Sequence, residues 1–131
     1  MNLMLARLTY MQDHKVQVND IADPHTTILL VMKELNKNLH KIADHGVSHA
    51  ALSKQFTNAF TAIYILQTSL DFTSGGEIAE NLFRLYEYVR QELLKAFARD
   101  SDHSLANAIV LLDEIIEAWE VVGTKVGGQP T

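Results

Sequence analysis

The chain has 131 residues, 47% hydrophobic and 21% charged, which is the size and balance of one globular domain and not of a disordered segment. Its formal charge is −5, and its eleven Lys and Arg are scattered from Arg7 to Lys125. That distribution argues against nucleic acid as a partner, because phosphate binding needs a basic stripe. The chain has no cysteine, which excludes a disulfide framework, a thiolate metal site and a cysteine nucleophile.

Residues 1–22 form the first segment, expected to be an arm. Its opening, MNLMLARLTYMQD, lacks the charged and long apolar regions of a signal peptide, and no apolar run approaches the roughly 20 residues that span a bilayer. A cytoplasmic protein without a membrane partner is the expectation. Met4, Leu8 and Met11 are spaced four and three apart, with Leu5 and Tyr10 beside them. So short an amphipathic piece is not stable alone and must pack on something. It is either a cover that a partner displaces or a permanent extra helix completing the core.

Asp23-Pro24 then predicts a helix start, with Asp23 as cap and Pro24 at the first helical position. Ile28, Val31, Met32, Leu35, Leu39 and Ile42 recur at three- and four-residue steps on one face, with Lys33, Lys37, His40 and Lys41 opposite. Gly46 is the expected stop. A second helix is expected from Ser48 to about Leu70, with Leu52, Phe56, Ala59, Ile63, Leu66 and Leu70 in a stripe. Ser74-Gly75-Gly76-Glu77 has the S-x-x-E spacing of a capping box and predicts the start of a third helix running to about Arg99. The glycine pair is not a phosphate cradle, which would need a longer loop ending in Lys and Ser or Thr. The fourth helix is expected to run to Val122 and stop at Gly123, with Leu105, Ala108, Ile109, Leu112, Ile116 and Trp119 facing inward. Residues 123–131 are then a flexible tail. Four helices with short links, over residues 23–122, predict an all-α antiparallel four-helix bundle.

The third helix carries more apolar residues than one face requires. Ile78, Leu82, Leu85, Val89 and Leu93 form one stripe; Phe83, Tyr86, Leu94 and Phe97 form a second, turned by roughly 100°. Either this helix is the most central one, touching two neighbours, or the second stripe is a groove for a partner segment.

Catalytic chemistry is not indicated. There is no E-x-x-H motif for a di-metal centre, and Gly46 falls between His45 and His49, so that pair is not expected to share a face and bind zinc. No cofactor, metal site or enzymatic activity is expected.

The stretch LQTSLDFTSGGEIAENLFRLYEYV resembles the flagellar secretion chaperones of the FliS family. The similarity rests on Ser69-Leu70-Asp71, Gly75-Gly76-Glu77-Ile78-Ala79, Asn81-Leu82, Leu85-Tyr86 and Tyr88. Tyr10 ahead of Ala22-Asp23-Pro24-His25, and Ala118-Trp119 near the end, extend it over nearly the whole chain. Leu30-Val31-Met32-Lys33-Glu34 departs from the family's usual sequence after the proline, and Ala96-Phe97 from its usual A-N. The resemblance implies a helical bundle that binds the disordered carboxy-terminal segment of flagellin in the cytoplasm, prevents premature polymerisation and supports type III export. It also implies a client wrapped partly as helices in hydrophobic grooves, and an amino-terminal arm that occupies part of that surface when empty. Tyr10 is expected in that arm. Ile28, Val31 and Leu35 on helix one, with Phe83, Tyr86 and Phe97 on helix three, are expected to line the groove, the interior being the alternative for each. An export-gate component or co-chaperone is a further candidate partner. A different class of function, a bundle that self-associates through the same arc as a weak homodimer, fits the same residues.

Overall fold

The structure is a computed structural model and describes residues 24–44, 48–100 and 103–127. Asp23, His45, Gly46 and the arm with Tyr10 lie outside the described residues. Four long helices appear in chain order: α1 (Pro24–Ala43), α2 (Ser53–Thr68), α3 (Phe72–Phe97) and α4 (Leu105–Gly127), with a 3-10 turn at Ala50–Leu52 leading into α2. Each packs on the next, and α4 closes the ring against α1. The bundle is antiparallel throughout. His25 near the start of α1 meets Trp119 late in α4, and Phe56 near the start of α2 meets Phe97 at the end of α3.

The apolar stripes of α1, α2 and α4 fall where their periodicity places them. Val31, Met32, Leu35 and Leu39 of α1 are buried, as are Leu52, Phe56, Ala59, Ile63 and Leu66 of the second element and Leu105, Ala108, Leu112 and Ile116 of α4. Burial of such side chains is the main driving force, at about 1.5–3 kcal/mol for each of the larger ones. The stripe alone did not indicate how wide α2's buried arc is. Ala62 and Ile65 are also enclosed, because α2 packs on both α1 and α3.

α2 ends where the Ser69 hydroxyl and N–H both donate to the Ile65 carbonyl, at 2.5 and 3.0 Å. Two residues later Asp71 caps α3, one carboxylate oxygen accepting from the Thr73 and Ser74 N–H groups at 3.0 Å. The cap therefore lies three residues before the Ser74 cap that the S-x-x-E spacing predicted, and it opens a single turn ahead of the glycine pair. After that turn the helix breaks at Gly76 (φ 51°, ψ −124°), a conformation open in practice only to glycine.

α3 ends in a Schellman motif. The Asp100 N–H donates to the Lys95 carbonyl and the Arg99 N–H to the Ala96 carbonyl, with Arg99 left-handed at φ 60°. The next helix begins under a side chain of this one: the Glu92 carboxylate, nearly buried, accepts from the Ser104 N–H at 2.5 Å and pairs with Lys95 at 3.3 Å. α4 does not stop at Gly123 but continues to Gly127.

The start of α1 and the later part of α4 are fastened together. The His25 imidazole stacks on the Trp119 indole, centroids 4.7 Å apart and planes within 3°. His25 Nε2 donates to the Trp119 carbonyl at 2.8 Å, and Trp119 Nε1 donates back to the His25 carbonyl at 3.0 Å.

Candidate functional site

The buried line of α3 is Ala79, Tyr86, Val89, Leu93 and Ala96, which runs between the two stripes instead of along either. Ile78, the head of the first stripe, is 70% exposed. On the flank towards α2, the rings and branched side chains of the second stripe reach the surface: Phe83 is 39% exposed, Leu94 38% and Phe97 51%. Eleven and fourteen residues after Phe83 are close to whole turns, so Leu94 and Phe97 share its side of the helix. The line from Phe83 to Phe97 spans about 21 Å at 1.5 Å per residue.

α2 contributes the facing wall. Phe97 meets Phe56 and Phe60 edge-on, with centroids 5.2 and 6.3 Å apart, and the His49 ring lies 5.7 Å away. At the other end Phe72, on the capped turn ahead of Gly76, lies 6.0 Å from Phe83. Tyr64 is exposed on α2 between the two ends. Phe60, Tyr64 and Phe72 were not singled out from sequence. The first two sit four apart on a flank just outside the α2 stripe, and that spacing was the available signal.

The middle of this trough is polar but already satisfied. Glu87 accepts from Arg90 Nε at 2.9 Å and Nη2 at 2.5 Å, from Gln67 Nε2 at 3.0 Å and from Gln91 Nε2 at 2.9 Å. The Arg90 bonds first, then those from the two glutamines, bring the Glu87 carboxyl down to about 2. Such a tie offers no unpaired charge to a ligand. It leaves the apolar ends as the adhesive parts.

The expected groove residues separate into two groups. Phe83 and Phe97 lie on the open trough. Ile28 is half-buried against the core. Val31, Leu35 and Tyr86 are interior and line no groove. For Tyr86 the reason is position: it stands seven residues after Ala79 and three before Val89, on the centre of the buried arc, with 1% exposure. Its hydroxyl approaches Met32 Sδ at 4.0 Å, and burial pushes its ionisation up to about 12.

At the end of the bundle where α1 finishes and α4 begins there is a cavity of about 210 Å³, floored by Leu52, Phe56 and Leu105 and rimmed by Asp44, His49 and His103. Among the described residues no three His, Asp or Glu side chains gather closely enough to hold a metal ion, and no helix is long and apolar enough to cross a membrane.

The described residues form an antiparallel helical bundle with an aromatic trough open on one face. The sequence model of the flagellar protein FliS matches residues 6–126, nearly the whole length. The chain belongs to the FliS family, whose members are not enzymes. It is 31% identical over 114 residues to the flagellar secretion chaperone FliSB of Pseudomonas aeruginosa, covering 81% of this chain and 85% of that one. To the flagellar secretion chaperone FliS of Vibrio cholerae it is 25% identical over 103 residues, covering 77% and 76%. To that of Salmonella typhimurium it is 39% identical over 64 residues, about half of either chain (49% and 47%). No solved structure matches the chain.

Proposed function

We propose that this protein is a cytoplasmic export chaperone that holds the disordered carboxy-terminal segment of flagellin, keeping it unpolymerised until secretion. The observation that carries this reading is the line Phe83, Leu94 and Phe97, left open beside Phe60 and Tyr64. An amphipathic segment that folds on arrival covers these rings, and the apolar area removed from water offsets the cost of ordering it. The arm with Tyr10 is assigned here to the same surface when no client is bound.

The test is calorimetric titration with a peptide from the carboxy terminus of the flagellin of the same organism. The wild-type protein is expected to bind at micromolar concentration or tighter. Phe83→Ala and Phe97→Ala are each expected to weaken binding about tenfold or more while leaving helix content unchanged, as central aromatic anchors do. Absence of any heat with the wild-type protein at micromolar concentration sinks the proposal. A strictly monomeric protein that binds the peptide also removes the self-association reading.

A further inference from the structure

Five residues of α3 follow one another along the trough in steps of four and three: Phe83, Glu87, Arg90, Leu94 and Phe97. The middle two are a bonded ion pair, and Gln67 reaches Glu87 from the facing wall of α2. We propose that this Gln67–Glu87–Arg90 cluster is a selectivity element. It divides the trough into two apolar seats and admits a partner helix whose apolar seam is interrupted by polar residues between its two anchors.

Three observations carry this. The first is spacing. One seat is Phe83 with Phe72, their rings 6.0 Å apart; the other is Leu94 and Phe97, with Phe60 beside Phe97. Along the helix Phe83 and Leu94 are about 16 Å apart, more than one side chain spans, so a partner needs an anchor for each seat. The second is hydration. The Glu87 and Arg90 side chains keep 33% and 37% of their surface open to water. A leucine laid over them removes that water and returns no polar group, whereas a glutamine offers an amide in its place. The third is the backbone. Along the trough α2 and α3 pair their own peptide groups and present no strand edge. An extended chain seated there would hide N–H and C=O groups without partners, while a helix pairs its own.

The inference rests on the preceding reading only in that the trough takes a partner chain, so its test uses designed peptides in place of flagellin. Two helical peptides of about 20 residues carry leucines spaced as Phe83, Leu94 and Phe97 are. One has glutamine, the other leucine, at the positions that fall over Glu87 and Arg90. Each is also made in reversed order, so that either chain direction is covered, and all are used where they are monomeric. In calorimetric titration the wild-type protein is expected to bind the interrupted peptide about fivefold or more tightly than the continuous one, although the latter is more apolar. Two residues inserted midway turn the far anchors by about 200° and are expected to weaken the interrupted peptide about tenfold. In Glu87→Leu combined with Arg90→Leu, with helix content checked by circular dichroism, the preference is expected to reverse. Equal or tighter binding of the continuous peptide to the wild-type protein overturns the proposal, as does an insertion without effect or no binding of either peptide. A preference that persists in the folded variant overturns it as well, and the wild-type comparison stands without that variant. A flagellin peptide that leaves the interrupted peptide in place refutes the client and leaves the selectivity element standing.

Discussion

Tyr86 shows how much a single hydroxyl decides. Its ring sits in the middle of the core and its oxygen finds only a thioether at 4.0 Å. Tyr86→Phe is therefore expected to be close to neutral in urea denaturation, whereas Tyr86→Ala is expected to cost about 3–5 kcal/mol through the cavity it leaves. The same residue fixes an alkaline limit. Its folded value lies above the ordinary value of 10, so its contribution is complete below pH 10 and lost as pH rises towards about 12. Tyr86→Phe is expected to remove that step. Glu92 works in the opposite direction. The Ser104 N–H first, with Lys95 behind it, lowers its carboxyl below 4.5, so the stability it confers is present above that pH and disappears as pH falls further. Glu92→Gln is expected to cost about 1–2 kcal/mol at neutral pH, with the gap to wild type closing in acid.

At the scale of the element, one residue within α3 and one just beyond its end have positive φ, and only the first is a glycine. Gly76 has open space where a Cβ would go, so its requirement is conformational, and Gly76→Ala is expected to destabilise by about 1–3 kcal/mol. Arg99 pays the left-handed penalty at the end of the same helix, and Arg99→Gly is expected to raise stability by up to about 1 kcal/mol. Thermal unfolding of the two variants checks both signs. These positions also show what the sequence could and could not convey. Ser74 and Glu77 have the right spacing for a cap, but Asp71 lies three residues upstream with an oxygen that reaches two N–H groups, and the nearer carboxylate wins. Gly123 looked like a stop, yet no left-handed turn is formed there and α4 runs on.

At the scale of the whole molecule, the bundle was legible because the period-3.6 stripes of three of its helices are buried where their spacing places them. The open surface was less so. Periodicity shows that α3 has a surplus of apolar residues but not its rotation, since the buried line depends on where α2 and α4 lean against it. Tyr86 and Phe83 are three residues apart, and one is core while the other is surface. Because Glu87 and Arg90 already neutralise each other at the centre of the trough, client binding is expected to be driven by apolar burial. Calorimetry across temperature should give a negative heat-capacity change, with affinity nearly indifferent to salt; a steep salt dependence would point to another surface.

The stacking of His25 on Trp119 makes a ring out of an otherwise linear string of helices. Ninety-four residues separate the two partners, so this joint is among the last contacts that a refolding chain can afford to make. Trp119 is also the sole indole in the sequence. Its light emission is therefore a report on whether the circle is shut, and a refolding trace followed that way times the meeting of head and tail after the helices themselves have formed.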